Sequence, residues 1–174
     1  MIGCIKPAIP PCAGVALRVQ TTEFPSITPA GFHNRRTQKA GIIGTPMEES
    51  AITHSVEVRV EAYFLEDQSD TDNSLFTFAY RIKLKNLGQD TVQLLRRHWI
   101  ITDSTGQVRH VKGDGVVGEQ PVLKPGQSYE YVSGSRLESP MGSMEGTYQM
   151  INQKGESFDV KIPPFTLAVP SVLN

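Results

Sequence analysis

Hydrophobic and polar residues alternate along this chain from Ser55 onward. In "SVEVRVEAYF" the residues Val56, Val58, Val60, Ala62 and Phe64 are interleaved with Glu57, Arg59 and Glu61. A period of two sends one row to a core and the other to water, so the stretch predicts a half-buried strand. "SLFTFAYRIKLKNLG" repeats the pattern, with Phe76, Phe78, Tyr80, Ile82 and Leu84 on one face and Arg81, Lys83 and Lys85 on the other. Further strand-like runs follow: "TVQLLRRHWIIT", "QVRHV", "SYEYVSG", "GTYQMIN" and "ESFDVKIPPFTLAV", with turn signals at "DSTG" (103 to 106) and "NQKG" (152 to 155). Seven or eight short strands with no helical period between them predict an all-β fold. The expected form is an antiparallel immunoglobulin- or fibronectin type III-like β-sandwich with Greek-key connections.

Within this pattern lies "KGDGVVGEQP", residues 112 to 121, where Gly113, Gly115 and Gly118 match the spacing G-x-G-x-x-G. In a dinucleotide-binding fold the third glycine opens a helix whose N-terminus meets a pyrophosphate. Here Pro121 and Pro125 follow closely, and a helix would lose interior hydrogen bonds there. The spacing therefore does not announce a Rossmann site. Two readings stay open. The glycines permit positive φ in a tight link between strands, or successive main-chain N–H groups form a nest for an anion, aided by Lys112. The candidate anion or ligand loop comprises Lys112, Gly113, Asp114, Gly115 and Gly118.

Composition changes the picture mainly at the N-terminus. The chain has 174 residues, 39% hydrophobic and 20% charged, with net charge −1, enough for one domain to bury its own core. Residues 1 to 46 hold five basic residues against one acid and six of the twelve prolines, while residues 47 to 174 hold twelve basic against seventeen acidic. The prolines break any period in the first segment, which is expected to be a disordered or mis-annotated extension, with Met47 as the true start. The domain is expected over 47 to 174. The net charge of −1 argues against a generally basic surface for nucleic acid, which is held mainly by Lys and Arg releasing counterions. No apolar run approaches the roughly 20 residues that span a bilayer. Cys4 and Cys12 are too few for a disulfide framework, and a cytoplasmic location is expected.

No catalytic constellation is legible. His33, His54, His98 and His110 are scattered, without the nucleophile, base and acid of covalent catalysis or the clustered ligands of a metal hydrolase. His110, Asp114 and Glu119 are the one set whose loop spacing would allow convergence on a single ion, against the simpler expectation that each is solvated. Asp67, Asp70 and Asp72 lack the glycine, glutamate and helices of a calcium hand and read as an exposed acidic loop. Arg81, Lys83 and Lys85 would form a cationic stripe with Arg96, Arg97 and His98 if their strands paired; edge protection is the preferred account. Trp99 reads as core, and Tyr129 and Tyr131 as core or as a pair offered to a partner.

Together the elements GVVG, QP, PG, YxYxSG, PxGxMxGxY and IPxFxLxxP in residues 113 to 170, with "FAYRIKLKNLGQDTVQLLRRHWIITDSTG" at 78 to 106, resemble the ApaG family. The resemblance covers Ser55 to Asn174. It implies a fibronectin type III-like or immunoglobulin-like sandwich, found alone in bacteria and as a domain of F-box adaptors and a polymerase-delta-interacting protein, where it mediates protein contacts. It also implies a link to cobalt and magnesium tolerance without a known mechanism, and proposals of nucleotide or pyrophosphate binding. The expectation is a non-enzymatic binding module with a protein partner or a second copy of itself, and with no cofactor, metal or membrane span. The alternative is a binder or sensor of a phosphorylated anion or divalent cation at residues 112 to 120.

Overall fold

The structure, a computed structural model, describes residues 42–173; the expectation for the N-terminal extension falls almost entirely outside them. Among the described residues nine strands form two antiparallel sheets: β1 Ile42–Thr53, β2 Val56–Leu65, β3 Phe76–Asn86, β4 Val92–Asp103, β5 Val108–Asp114, β6 Val122–Leu123, β7 Ser128–Leu137, β8 Met141–Asn152 and β9 Ser157–Ala168. The first sheet has the order β1-β2-β3-β7 and the second β5-β4-β8-β9, with β6 also on β4. The chain crosses from β3 to β4, returns to place β7 beside β3, and crosses again to place β8 beside β4. This is the expected Greek-key sandwich.

The alternation seen in sequence becomes the two inner faces. Val56, Val58, Val60, Ala62 and Phe64 of β2 and Phe78, Tyr80, Ile82 and Leu84 of β3 are buried, opposite Trp99 and Ile101 of β4, Tyr148 and Met150 of β8, and Phe165 and Leu167 of β9. Trp99 lies at the centre, its ring 5.4 Å from that of Tyr80 across the sheets and 6.0 Å from that of Phe165. Such tilted and edge-on pairs add to the area they bury. Between the sheets, the hydroxyls of Tyr131 on β7 and Tyr148 on β8 meet at 2.6 Å and satisfy each other where no water reaches. Asn86, also buried, donates to the carbonyls of Asp90 and Leu123 and accepts from the Gly88 N–H. It thereby fixes the crossing from β3 and the position of β6.

Two findings correct the sequence expectations. A strand precedes Ser55: β1 pairs with β2 from Ile42 to Thr53, with a register shift between Ile43 and Met47. The joining turn places His54 and Ser55 both at positive φ, 48° and 61°. That is the conformation of a two-residue primed hairpin, normally announced by Asn or Gly. The cationic stripe does not form, because β3 and β4 belong to different sheets. Nor does β3 need edge protection, since it is central: Arg81 pairs across to Glu61 and Glu130, and Lys83 and Lys85 sit opposite Arg59 and Glu57.

Candidate functional site: the free edge of β5 and its hairpin

β5 borders the second sheet, pairing with β4 alone from Thr102↔Val108 to Arg96↔Asp114. The Gly115 N–H donates to the Leu95 carbonyl at 2.8 Å. By antiparallel alternation this register turns the main-chain groups of Gly113, Val111 and Arg109 toward β4 and those of Asp114, Lys112, His110 and Val108 outward. Six of its seven residues are exposed. Val108 and Val111 are exposed, and so are Val117 and Val122 farther along the same border.

After β5 the chain folds back in a two-residue turn. Val116 and Glu119 exchange both N–H···O bonds at 2.8 and 3.0 Å, while Val117 and Gly118 have φ of 49° and 79°. Gly115, at φ 58°, has no room for a side chain: a Cβ would lie 2.2 Å from the Glu119 carbonyl oxygen. The glycine spacing thus serves a strand and a hairpin with no helix after Gly118. Lys112, Gly113 and Asp114 lie in β5, whereas Gly115 links β5 to the hairpin and Gly118 is the second residue of its turn. The N–H groups of Gly115, Val116 and Glu119 are bonded to carbonyls of β4 and of the hairpin itself.

Side chains complete the site. Arg97 lies against Gly113, where a Cβ would come within 3.0 to 3.1 Å of its guanidinium, and donates to the Asp114 and Gly115 carbonyls at 3.0 and 2.7 Å. Arg96 pairs with Asp114 at 3.1 Å. Tyr129 donates to Glu119 at 2.9 Å; burial first, then this carboxylate, pushes its pKa up to about 12. Tyr131 is buried and bonded to Tyr148. His98 Nε2 and His110 Nδ1 are 2.9 Å apart on the outer face, with rings stacked. Desolvation, then Lys112 and His110, hold His98 below the ordinary imidazole range.

The candidate ion set does not assemble: His110 turns to His98, Asp114 to Arg96 and Glu119 to Tyr129. Among the described residues no three His, Cys, Asp or Glu side chains form a group able to hold a metal ion, and no helix is long and apolar enough to cross a membrane. Asp67, Asp70 and Asp72 belong to two short 3₁₀ turns, in which Asp70 caps Asn73. What does assemble on the outer face is an open groove of about 480 Å³, lined by Arg96, His98, Lys112, Thr147, Gln149 and Asp159 among others. Sequence reasoning missed the His98–His110 pair and the role of Arg97. Only the register of β4 on β5 reveals them, because the two histidines are diagonal neighbours across strands.

The comparisons with known proteins agree with this architecture. The family profile of the ApaG domain matches residues 66–152. Protein ApaG of Paramagnetospirillum magneticum is 53% identical over 121 residues, covering 70% of this chain and 93% of the relative. Protein ApaG of Acidithiobacillus ferrooxidans is 50% identical over 128 residues, covering 74% of this chain and all of the relative. Among solved structures, an ApaA protein of Bordetella pertussis superposes with a TM-score of 0.65 at 43% identity, covering 66% of this chain and 94% of that one. A Greek-key sandwich carrying the GVVG hairpin, and relatives matched over nearly their whole length, lead to one assignment: the chain belongs to the ApaG family.

Proposed function

We propose that the protein is a non-enzymatic docking module, located in the cytoplasm, that binds a protein partner along the free edge of β5. The observation that carries the proposal is the exposure of that strand, whose outward main-chain groups are flanked by exposed Val108 on the outer face and Val111 on the inner, with Val117 and Val122 exposed farther along the border. An unpaired edge is a template for strand addition, in which main-chain bonds supply affinity and alternate side chains supply selectivity. The strand order also supports placing the sandwich among fibronectin type III-like modules. A photo-crosslinking residue at Val111 is expected to trap a partner in cells, whereas the same residue at Ile52, exposed on β1, is not. Equal trapping at both positions, or at neither, would remove the β5 edge as the docking surface.

A second reading, an anion site at residues 112 to 120, is favoured by the basic groove beside Lys112. With the hairpin N–H groups of Gly115, Val116 and Glu119 bonded internally, an anion there relies on side chains. Calorimetry with pyrophosphate, diadenosine tetraphosphate, magnesium and cobalt tests it; heat lost in Lys112→Ala supports it, and the absence of heat with every ligand removes it.

A further inference from the structure

Taking β5 as the docking edge, we infer that its partner is an extended segment in which acidic and apolar residues alternate. The inference rests on charge. Residues 92 to 114, which contain β4 and β5, carry four basic side chains (Arg96, Arg97, Arg109, Lys112) against two acids (Asp103, Asp114). The rest of 47 to 174 carries eight basic against fifteen acidic. A basic border thus runs along an acidic body.

Both acids of the border are engaged. Asp103 accepts from Thr105 and Gln107 within its own turn, and Asp114 is paired with Arg96. Arg97 and Arg109 spend their donors on carbonyls, those of Asp114 and Gly115 for Arg97 and that of Arg136 for Arg109, so their charge is held in place without being neutralised. Among the described residues, no carboxylate lies within ion-pair distance of Arg97, Arg109 or Lys112.

The pleat then sets the order of the partner's residues. Outward main-chain groups belong to His110 and Lys112, so residues paired with them lie on the outer face, beside His110, Lys112 and His98. Carboxylates suit these positions, and a directly opposed opposite charge is the favourable cross-strand pair. The intervening residues lie on the inner side with Val111, next to which apolar side chains suit, while Arg109 and Arg97, on that same side, add positive charge from behind the strand. The same cations oppose pairing of β5 with a second β5, since like charges disfavour wrong partners.

Dye-labelled nine-residue peptides alternating valine with glutamate, lysine or serine test this by fluorescence anisotropy against the full chain. The glutamate peptide is expected to bind at least tenfold more tightly than the other two, to weaken as salt rises, and to shift amide resonances of β5. Lys112→Glu is expected to abolish the preference. Lys112→Pro removes an outward N–H without breaking a bond to β4 and is expected to weaken binding at least tenfold; circular dichroism verifies that both variants are folded. Equal binding of the three peptides overturns the charge selection while the docking reading stands. Glutamate-peptide binding that survives both substitutions, or that shifts resonances on another strand, overturns the inference, as does binding of none. A chain that dimerises through β5 and excludes the peptide identifies a second copy as the occupant and overturns it also.

Discussion

Val117 and Gly115 stand two residues apart, both at positive φ, and only one of them has the residue type that conformation favours. A β-branched side chain in the left-handed region is held against its steric preference at a cost of about 1–2 kcal/mol. Val117→Gly is therefore expected to stabilise the fold by about 1 kcal/mol, read as a higher urea midpoint. Gly115→Ala adds a Cβ 2.2 Å from a main-chain oxygen at φ 58° and is expected to destabilise by about 2–3 kcal/mol in the same assay. At His98 the expectation concerns pH. A cationic group whose pKa is lowered on folding takes up its proton more readily in the unfolded chain. The native state therefore loses stability as pH falls from the ordinary imidazole value to the lowered one, and the loss levels off below it. Imidazole resonances should show His98 titrating below 6.5. Lys112→Ala should raise it only part of the way, since desolvation is the larger cause. An unchanged titration would place the effect of Lys112 elsewhere.

The contacts between strands determine how the two sheets hold together. The Tyr131–Tyr148 pair is buried, and each hydroxyl has the other as its partner. Tyr148→Phe leaves one hydroxyl unmatched and is expected to cost about 1–3 kcal/mol, while the double change to Phe recovers part of it because no polar group is stranded; a thermodynamic cycle in urea measures both. At this scale the sequence was most legible where a strand is amphipathic and ends in a recognisable turn. β2, β3 and the turns ending at Gly106 and Gly155 follow from period and turn residues alone. β1 did not, because Glu48, Glu49 and Ser50 weaken its apolar row and its turn is built from His54 and Ser55, neither of them a turn signal by composition. Pro121 and Pro125 excluded a helix after Gly118 correctly, yet the division of the glycines between strand and hairpin depends on the pairing of β5 with β4. The groove, the histidine pair and the free edge are likewise properties of register, which alternation within one strand does not encode.

For the whole molecule, β1 closes the first sheet over β2 and also packs beside β9. A chain shortened to begin at Met47 keeps the pairs from Met47↔Ala62 to Thr53↔Val56 and is expected to remain folded and monodisperse. One beginning at Ser55 bares the edge of β2 and is expected to aggregate, as size-exclusion chromatography would register. The position of β7 has a different consequence, in time. Its pairing with β3 joins Lys85 to Ser128 and Phe76 to Leu137, so β4, β5 and β6 must all be spanned before those bonds can form. The entropy of closing so long a loop is spent before any contact repays it, and sandwiches of this kind fold in milliseconds to seconds. Trp99, the sole tryptophan, sits where the two sheets meet, so its fluorescence in a stopped-flow experiment would time the moment at which the halves close.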